Sequence, residues 1–113
     1  MRFALLIALS FGAFAFADEP ATVKPAAPVY MPGEVNRNQQ VYDWAKREAT
    51  LMARYGRVKH YLGCGPGIRY SGVGSSFSGR PNHCYLNMPQ SRIIARACVR
   101  GRNGMWYWSC HLR

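Results

Sequence analysis

Val41, Trp44, Ala45, Ala49, Met52 and Tyr55 recur at three- and four-residue spacing, while Asp43, Lys46, Arg47 and Arg54 fall between them. That period places the apolar set on one face of an amphipathic helix and the charges on the other, and it predicts a helix over about residues 38–55. Asn36, followed three residues later by Gln39, resembles a capping pair at its start. Gly56 stands where a left-handed residue ends a helix.

After Gly56 the helical period disappears. Aromatic and β-branched runs at 59–62, 68–70, 76–77, 83–86, 92–100 and 105–112 alternate with Gly, Pro, Ser and Asn, a pattern that suits a small antiparallel sheet. The stretches Gly63-Cys64-Gly65-Pro66-Gly67 and Gly72-Val73-Gly74-Ser75-Ser76 read as turns between these runs. Neither has the strand before and helix after that a phosphate-binding loop requires.

The last two runs flank Asn103-Gly104, a strong hairpin signal. A two-residue turn there pairs Arg102 with Met105. Ile93, Ala95, Ala97 and Val99 then share a face with Trp106, Trp108, Cys110 and Leu112. The opposite face collects Ile94, Arg96, Cys98 and Arg100 with Met105, Tyr107, Ser109 and His111. A slip of one residue would move Arg96 and Arg100 onto the tryptophan face, which burial disfavours. The expected core is Trp44, Met52, Ile93, Val99, Trp106, Trp108 and Leu112.

Three segments precede or compose the domain. Residues 1–17 read as a secretory signal peptide: Arg2, an apolar run over 3–16 and the small-residue site Ala15-Phe16-Ala17. That run is shorter than the roughly 20 residues needed to span a bilayer, and no later segment could cross one. Residues 18–35 contain Pro20, Pro25, Pro28 and Pro32 and read as a Pro-rich tether. Residues 36–113 form the expected domain: a small disulfide-stabilised α+β unit, one amphipathic helix packed on a short antiparallel sheet with a C-terminal hairpin.

Charge sharpens this picture. The formal net charge is +10, and no Asp or Glu occurs from Ala49 onward, where ten Arg and Lys lie. Such a block attracts nucleic acid, anionic glycan or anionic lipid. It excludes hydrolysis by paired carboxylates within the block, because that chemistry needs two acids. Cys64, Cys84, Cys98 and Cys110, an even set in a short exported chain, imply disulfides and a secreted or periplasmic location. In the predicted register Cys98 and Cys110 point to opposite faces, so a bond between them is disfavoured. That leaves Cys64–Cys98 with Cys84–Cys110, or Cys64–Cys110 with Cys84–Cys98.

The same cysteines with His83 and His111 lack the close-pair spacing of a structural zinc site, so neither metal nor cofactor is expected. His60, His83 and His111 are the acid–base candidates, since two histidines and a nearby cation suffice to cleave a phosphodiester. The cationic hairpin face, Arg96, Arg100, Arg102, Tyr107 and His111, is the candidate binding surface. The leading expectation is a non-enzymatic secreted module that binds an anionic surface or polymer. A small nuclease-like hydrolase using two histidines is the second, and a structural or inhibitor protein binding another envelope protein the third.

Overall fold

The structure, a computed structural model, describes residues 29–113. The signal peptide, and the tether as far as Pro28, lie outside the described residues. The elements run β1 (Val35–Asn36), α1 (Gln39–Tyr55), β2 (Tyr70–Ser76), β3 (Ile93–Arg100) and β4 (Trp106–Leu112), with a 3₁₀ turn at Gln90–Arg92 before β3. The strands form one antiparallel sheet in the order β1-β3-β4-β2. This is the expected α+β architecture of one helix on a small sheet. No helix among the described residues is long and apolar enough to cross a membrane.

The helix follows its sequence period closely. Val41, Ala45, Ala49 and Met52 are buried against the sheet, and Gly56, at φ 65°, closes the C-terminus by donating its N–H to the Met52 carbonyl. The N-cap is Asn38 rather than Asn36: its Oδ1 accepts from Gln40 N at 3.0 Å and Val41 N at 3.2 Å. Asn36 instead donates to the Gln39 side chain.

The hairpin register differs from the expected one by a single residue. Val99 pairs with Tyr107, Ala97 with Ser109 and Arg96 with Cys110. A two-residue I′ turn needs positive φ at both Asn103 and Gly104, and of these only Gly104 adopts it, at 84°. The chain turns through three residues, with Gly101 N–H donating to Met105 O at 2.8 Å. Arg96 and Arg100 therefore do share a face with Trp106 and Trp108. Ala95, Ala97 and Val99 face the helix beside Tyr107, Ser109 and His111. A bulge at Ile94 puts that side chain too into the helix-side cluster.

Burial on both sides of the sheet makes this register tolerable. The helix covers one face. On the other, residues 31–34 and 79–84 lie across the strands. Met31 and Gly33 come from the end of the segment assigned to the tether, and Gly33 packs against Pro81 and the Trp108 ring. Of the expected core, Met52, Ile93, Trp108 and Leu112 are buried, while Trp44, Val99 and Trp106 are only partly so.

Gly72-Val73-Gly74 is also not a turn but the centre of β2. Its glycines leave room for the main chain of Asn82, His83 and Cys84 to cross directly over the strand.

Candidate functional site

Shifting the register takes the predicted cationic face apart. Arg96 is 5% exposed; its Nε donates to Gly33 O at 2.6 Å and its Nη1 to His83 Nε2 at 3.3 Å. Tyr107 and His111 are buried on the helix side. Arg100 and Arg102 alone remain exposed, with the Arg100 guanidinium stacked 5.5 Å from the Trp106 ring centre.

The histidines are likewise separated. His83 and His111 lie on opposite faces of the sheet. His83 Nδ1 donates to Cys84 O at 2.7 Å, leaving Nε2 to accept from Arg96. Burial, reinforced by the Arg96 charge, lowers its pKa, against the opposing effect of the Cys84 hydrogen bond. His60 is exposed, 3.4 Å from Ser71 Oγ, on the side where His111 has no exposure and both ring nitrogens engaged.

His111 belongs to a network that sequence reading missed. Glu48 Oε1 accepts from Ser109 Oγ at 2.8 Å, and Ser109 Oγ lies 2.9 Å from His111 Nε2. Glu48 Oε2 accepts from Leu62 N at 2.8 Å and Gly63 N at 3.1 Å. The three side chains are fully buried. They match a hydrolytic triad in composition, but their hydrogen bonds run the other way. Gly65 N–H donates to His111 Nδ1 at 3.3 Å, so the ring proton sits on Nε2 and points to Ser109, which donates to the carboxylate. A nucleophilic serine must instead give its proton to the histidine and meet solvent.

This network is a clamp that holds the 62–65 loop to the helix and β4. Its sequence signal was the position of Glu48, four residues before Met52 and three after Ala45, inside the apolar stripe.

Both networks make the fold acid-sensitive. Burial by itself raises the Glu48 pKa, but the nearby His111 ring, 3.6 Å away, and hydrogen bonds from Leu62 N–H and Ser109 outweigh it and hold it below 4.5. Each group thus binds its proton less readily folded than unfolded. The His83 contribution is complete above its ordinary value of 6.5 and is lost as pH falls below it. The Glu48 contribution is complete above 4.5 and is lost as pH falls through its lower folded value. Urea midpoints should therefore fall from pH 7.5 to 5.5, and again below pH 4.5. His83→Gln should flatten the first step, and an unchanged step in that variant would contradict the assignment.

The buried acids also shape the surface. Glu34 accepts from Met31 N at 2.6 Å, Tyr42 Oη at 2.9 Å and Cys98 N at 3.0 Å, with its side chain 1% exposed. Burial and this carboxylate push the Tyr42 pKa upward. With Glu34 and Glu48 internal, Asp43 is the one solvent-exposed carboxylate side chain among the described residues. Of the described Lys and Arg, only Arg96 is buried.

Five of the exposed cations line a groove between α1 and the outer edge of β3. Thr50, Arg54, Arg100 and Arg102 line a cleft of about 390 Å³. Thr50 and Arg54 also line an adjoining cleft of about 490 Å³ that adds Lys46, Arg47 and Asp43. Hydrogen-bonded and outward-pointing positions alternate along an antiparallel strand. Cys98 N–H points outward, where it holds the Glu34 carboxylate, and β1 pairs no further along than Arg96. Because Gly101 bonds back to Met105, Arg100 N–H is the next outward donor, on the edge that walls the cleft. The helix residues Lys46, Arg47 and Arg54 replace Arg96, Tyr107 and His111 as the companions of Arg100 and Arg102.

The cysteines are all free thiols in this structure. Cys98 and Cys110 point to the same face, contrary to the predicted register, since Cys98 pairs with Trp108 and Cys110 with Arg96. Cys64 lies on the helix side, beside Trp44 and Arg47. No family model matches this chain, and neither a curated protein nor a solved structure is significantly similar to it.

Proposed function

We propose that this chain is a secreted or periplasmic, non-enzymatic module that binds an anionic polymer or surface along the basic groove between α1 and the β3 edge. The observation that carries this reading is the distribution of acids. Two of three described glutamate and aspartate side chains are buried, so most exposed cations lack neighbours of opposite sign; the exceptions are at Lys46, 3.8 Å from Glu34, and beside Asp43 in the adjoining cleft. An ordinary solvated face mixes both signs. The arginines on the groove walls can pair two oxygens of a phosphate, sulfate or carboxylate, and the outward Arg100 N–H supplies a further donor. Export and disulfide bracing belong to the same reading, supported by the leader-like first 17 residues and the four cysteines.

Binding to heparin, single-stranded DNA and anionic vesicles should weaken steeply with salt. Replacing Arg54, Arg100 and Arg102 together with Gln should lower affinity at least tenfold at low salt. On single-stranded DNA it should also reduce the log–log salt slope by about 2, near 0.7 per phosphate contact. A matched triple variant of Arg37, Arg69 and Arg80, which lie outside the groove, should lose less. Equal losses in the two variants would move the site elsewhere, and salt-independent binding would sink the polyanion reading. Cleavage of the DNA probe, abolished by His60→Ala, would favour the hydrolase instead.

A further inference from the structure

We propose that Cys84 and Cys110 join in an intramolecular disulfide when the folded protein meets a disulfide oxidant, and that Cys64 and Cys98 take no part in it. The argument is one of placement. Gly72 on β2 sits directly opposite Cys110 on β4, and facing positions of an antiparallel pair have Cβ sites about 4.5–5.5 Å apart. The main chain of Cys84 crosses over Gly72 so closely that Cys84 Cβ lies 3.1 Å from the place a Gly72 Cβ would occupy. Cys84 thus stands in the side-chain position that glycine leaves empty, one cross-strand step from Cys110. That step, about 4.5–5.5 Å, approaches the roughly 3.5–4.5 Å that separates the Cβ atoms of a disulfide.

The other partners are worse placed. Cys98 faces Trp108, whose β2 partner is Gly74. It therefore lies two strands from β2, roughly 10 Å across the sheet from the Gly72 position. Cys98 and Cys110 are diagonal neighbours, typically about 7–8 Å apart. Cys64 is on the helix side, with the sheet between it and the other three.

Exposure sets the order of events. Cys84 is exposed and Cys110 fully buried, with burial pushing the Cys110 thiol up to about 12 despite the nearby Arg96 charge. A disulfide such as oxidised glutathione is attacked first by the Cys84 thiolate, forming a mixed disulfide and releasing one thiol. Cys110 then displaces the second thiol as the Cys84–Cys110 bond closes. Two cysteine thiols are oxidised by two electrons, the oxidant is reduced to two thiols, and both protons leave with them.

The test is oxidation of the folded chain in a glutathione redox buffer, followed by intact mass and non-reducing tryptic mapping. Cleavage at Lys59, Arg69, Arg92, Arg96, Arg100 and Arg102 puts each cysteine on a separate peptide. The expected product has lost two hydrogens and links the peptides of Cys84 and Cys110. Cys84→Ser, at an exposed position, should abolish that loss, while Cys64→Ser and Cys98→Ser should leave it unchanged. A bond from Cys98 or Cys64 to any partner as the main product, or four free thiols at equilibrium, would overturn the proposal. Neither outcome bears on polyanion binding, whose groove contains none of these cysteines.

Discussion

Glu48→Ala should leave the protein largely unfolded at room temperature. The Glu48 side chain has no exposure, and its oxygens accept from Ser109, Leu62 and Gly63 at 2.8–3.1 Å. Alanine leaves the buried Ser109 hydroxyl and the part-buried Leu62 and Gly63 N–H groups without their acceptor, each at about 1–3 kcal/mol, and opens a cavity besides. The three donors alone sum to about 3–9 kcal/mol, a range that spans the whole stability of many small domains, about 5 kcal/mol at the low end. Glu48→Gln should cost less. Its amide oxygen can still accept from Leu62 and Gly63, while its NH₂ group faces a Ser109 hydroxyl already receiving the His111 proton. Urea denaturation gives the magnitudes. Amide exchange at Leu62 and Gly63 shows whether the clamp failed locally, since both should exchange far faster in Glu48→Gln. A loss below about 1 kcal/mol in Glu48→Ala would remove the carboxylate from its structural role.

The helix was legible because its face toward the sheet is apolar and its outer face charged, so period and burial agree at Val41, Ala45, Ala49 and Met52. The hairpin was legible as a hairpin but not in register. Alternation fixes register when one face is wet, whereas here β3 and β4 are covered on both sides and both faces are rich in buried residues. The choice then fell to the turn, where one positive φ at Gly104 instead of two shifts every pair. Charge misled for the same reason. Arg96 looked exposed because arginine usually is, but segments distant in sequence supply Gly33 O and His83 to receive it. Within the groove, Arg100 and Arg102 are the two residues that the sequence pattern itself marks. Lys46, Arg47 and Arg54 were visible as the polar face of α1, but nothing local revealed that this face adjoins the edge of β3.

Gly74→Ala should be the most damaging single-methyl addition on the far side of the sheet. A Cβ there would collide with the Asn82 carbonyl oxygen and come within 2.8 Å of the Asn82 carbonyl carbon and His83 Cα. All three are backbone atoms, so no rotamer relieves the contact. The strand must deform or the 82–84 segment must lift. Lifting it strains the Asn82 Nδ2 to Ser75 O bond at 2.7 Å and withdraws His83 from Arg96. Arg96 then becomes a buried cation holding only Gly33 O, beside an uncovered Trp108. Overpacking alone costs about 1–3 kcal/mol, and loss of the His83 acceptor to a buried charge adds a comparable amount, so about 2–6 kcal/mol is expected. Gly67→Ala is the matched control: it has positive φ but open space around it, so it should cost only about 1–2 kcal/mol. Tryptophan emission of folded Gly74→Ala should shift to the red as Trp108 meets water, and that of Gly67→Ala should not. Wild-type stability and emission in Gly74→Ala would mean that the 82–84 segment does not rest on β2, and the covered second face of the sheet would have to be abandoned.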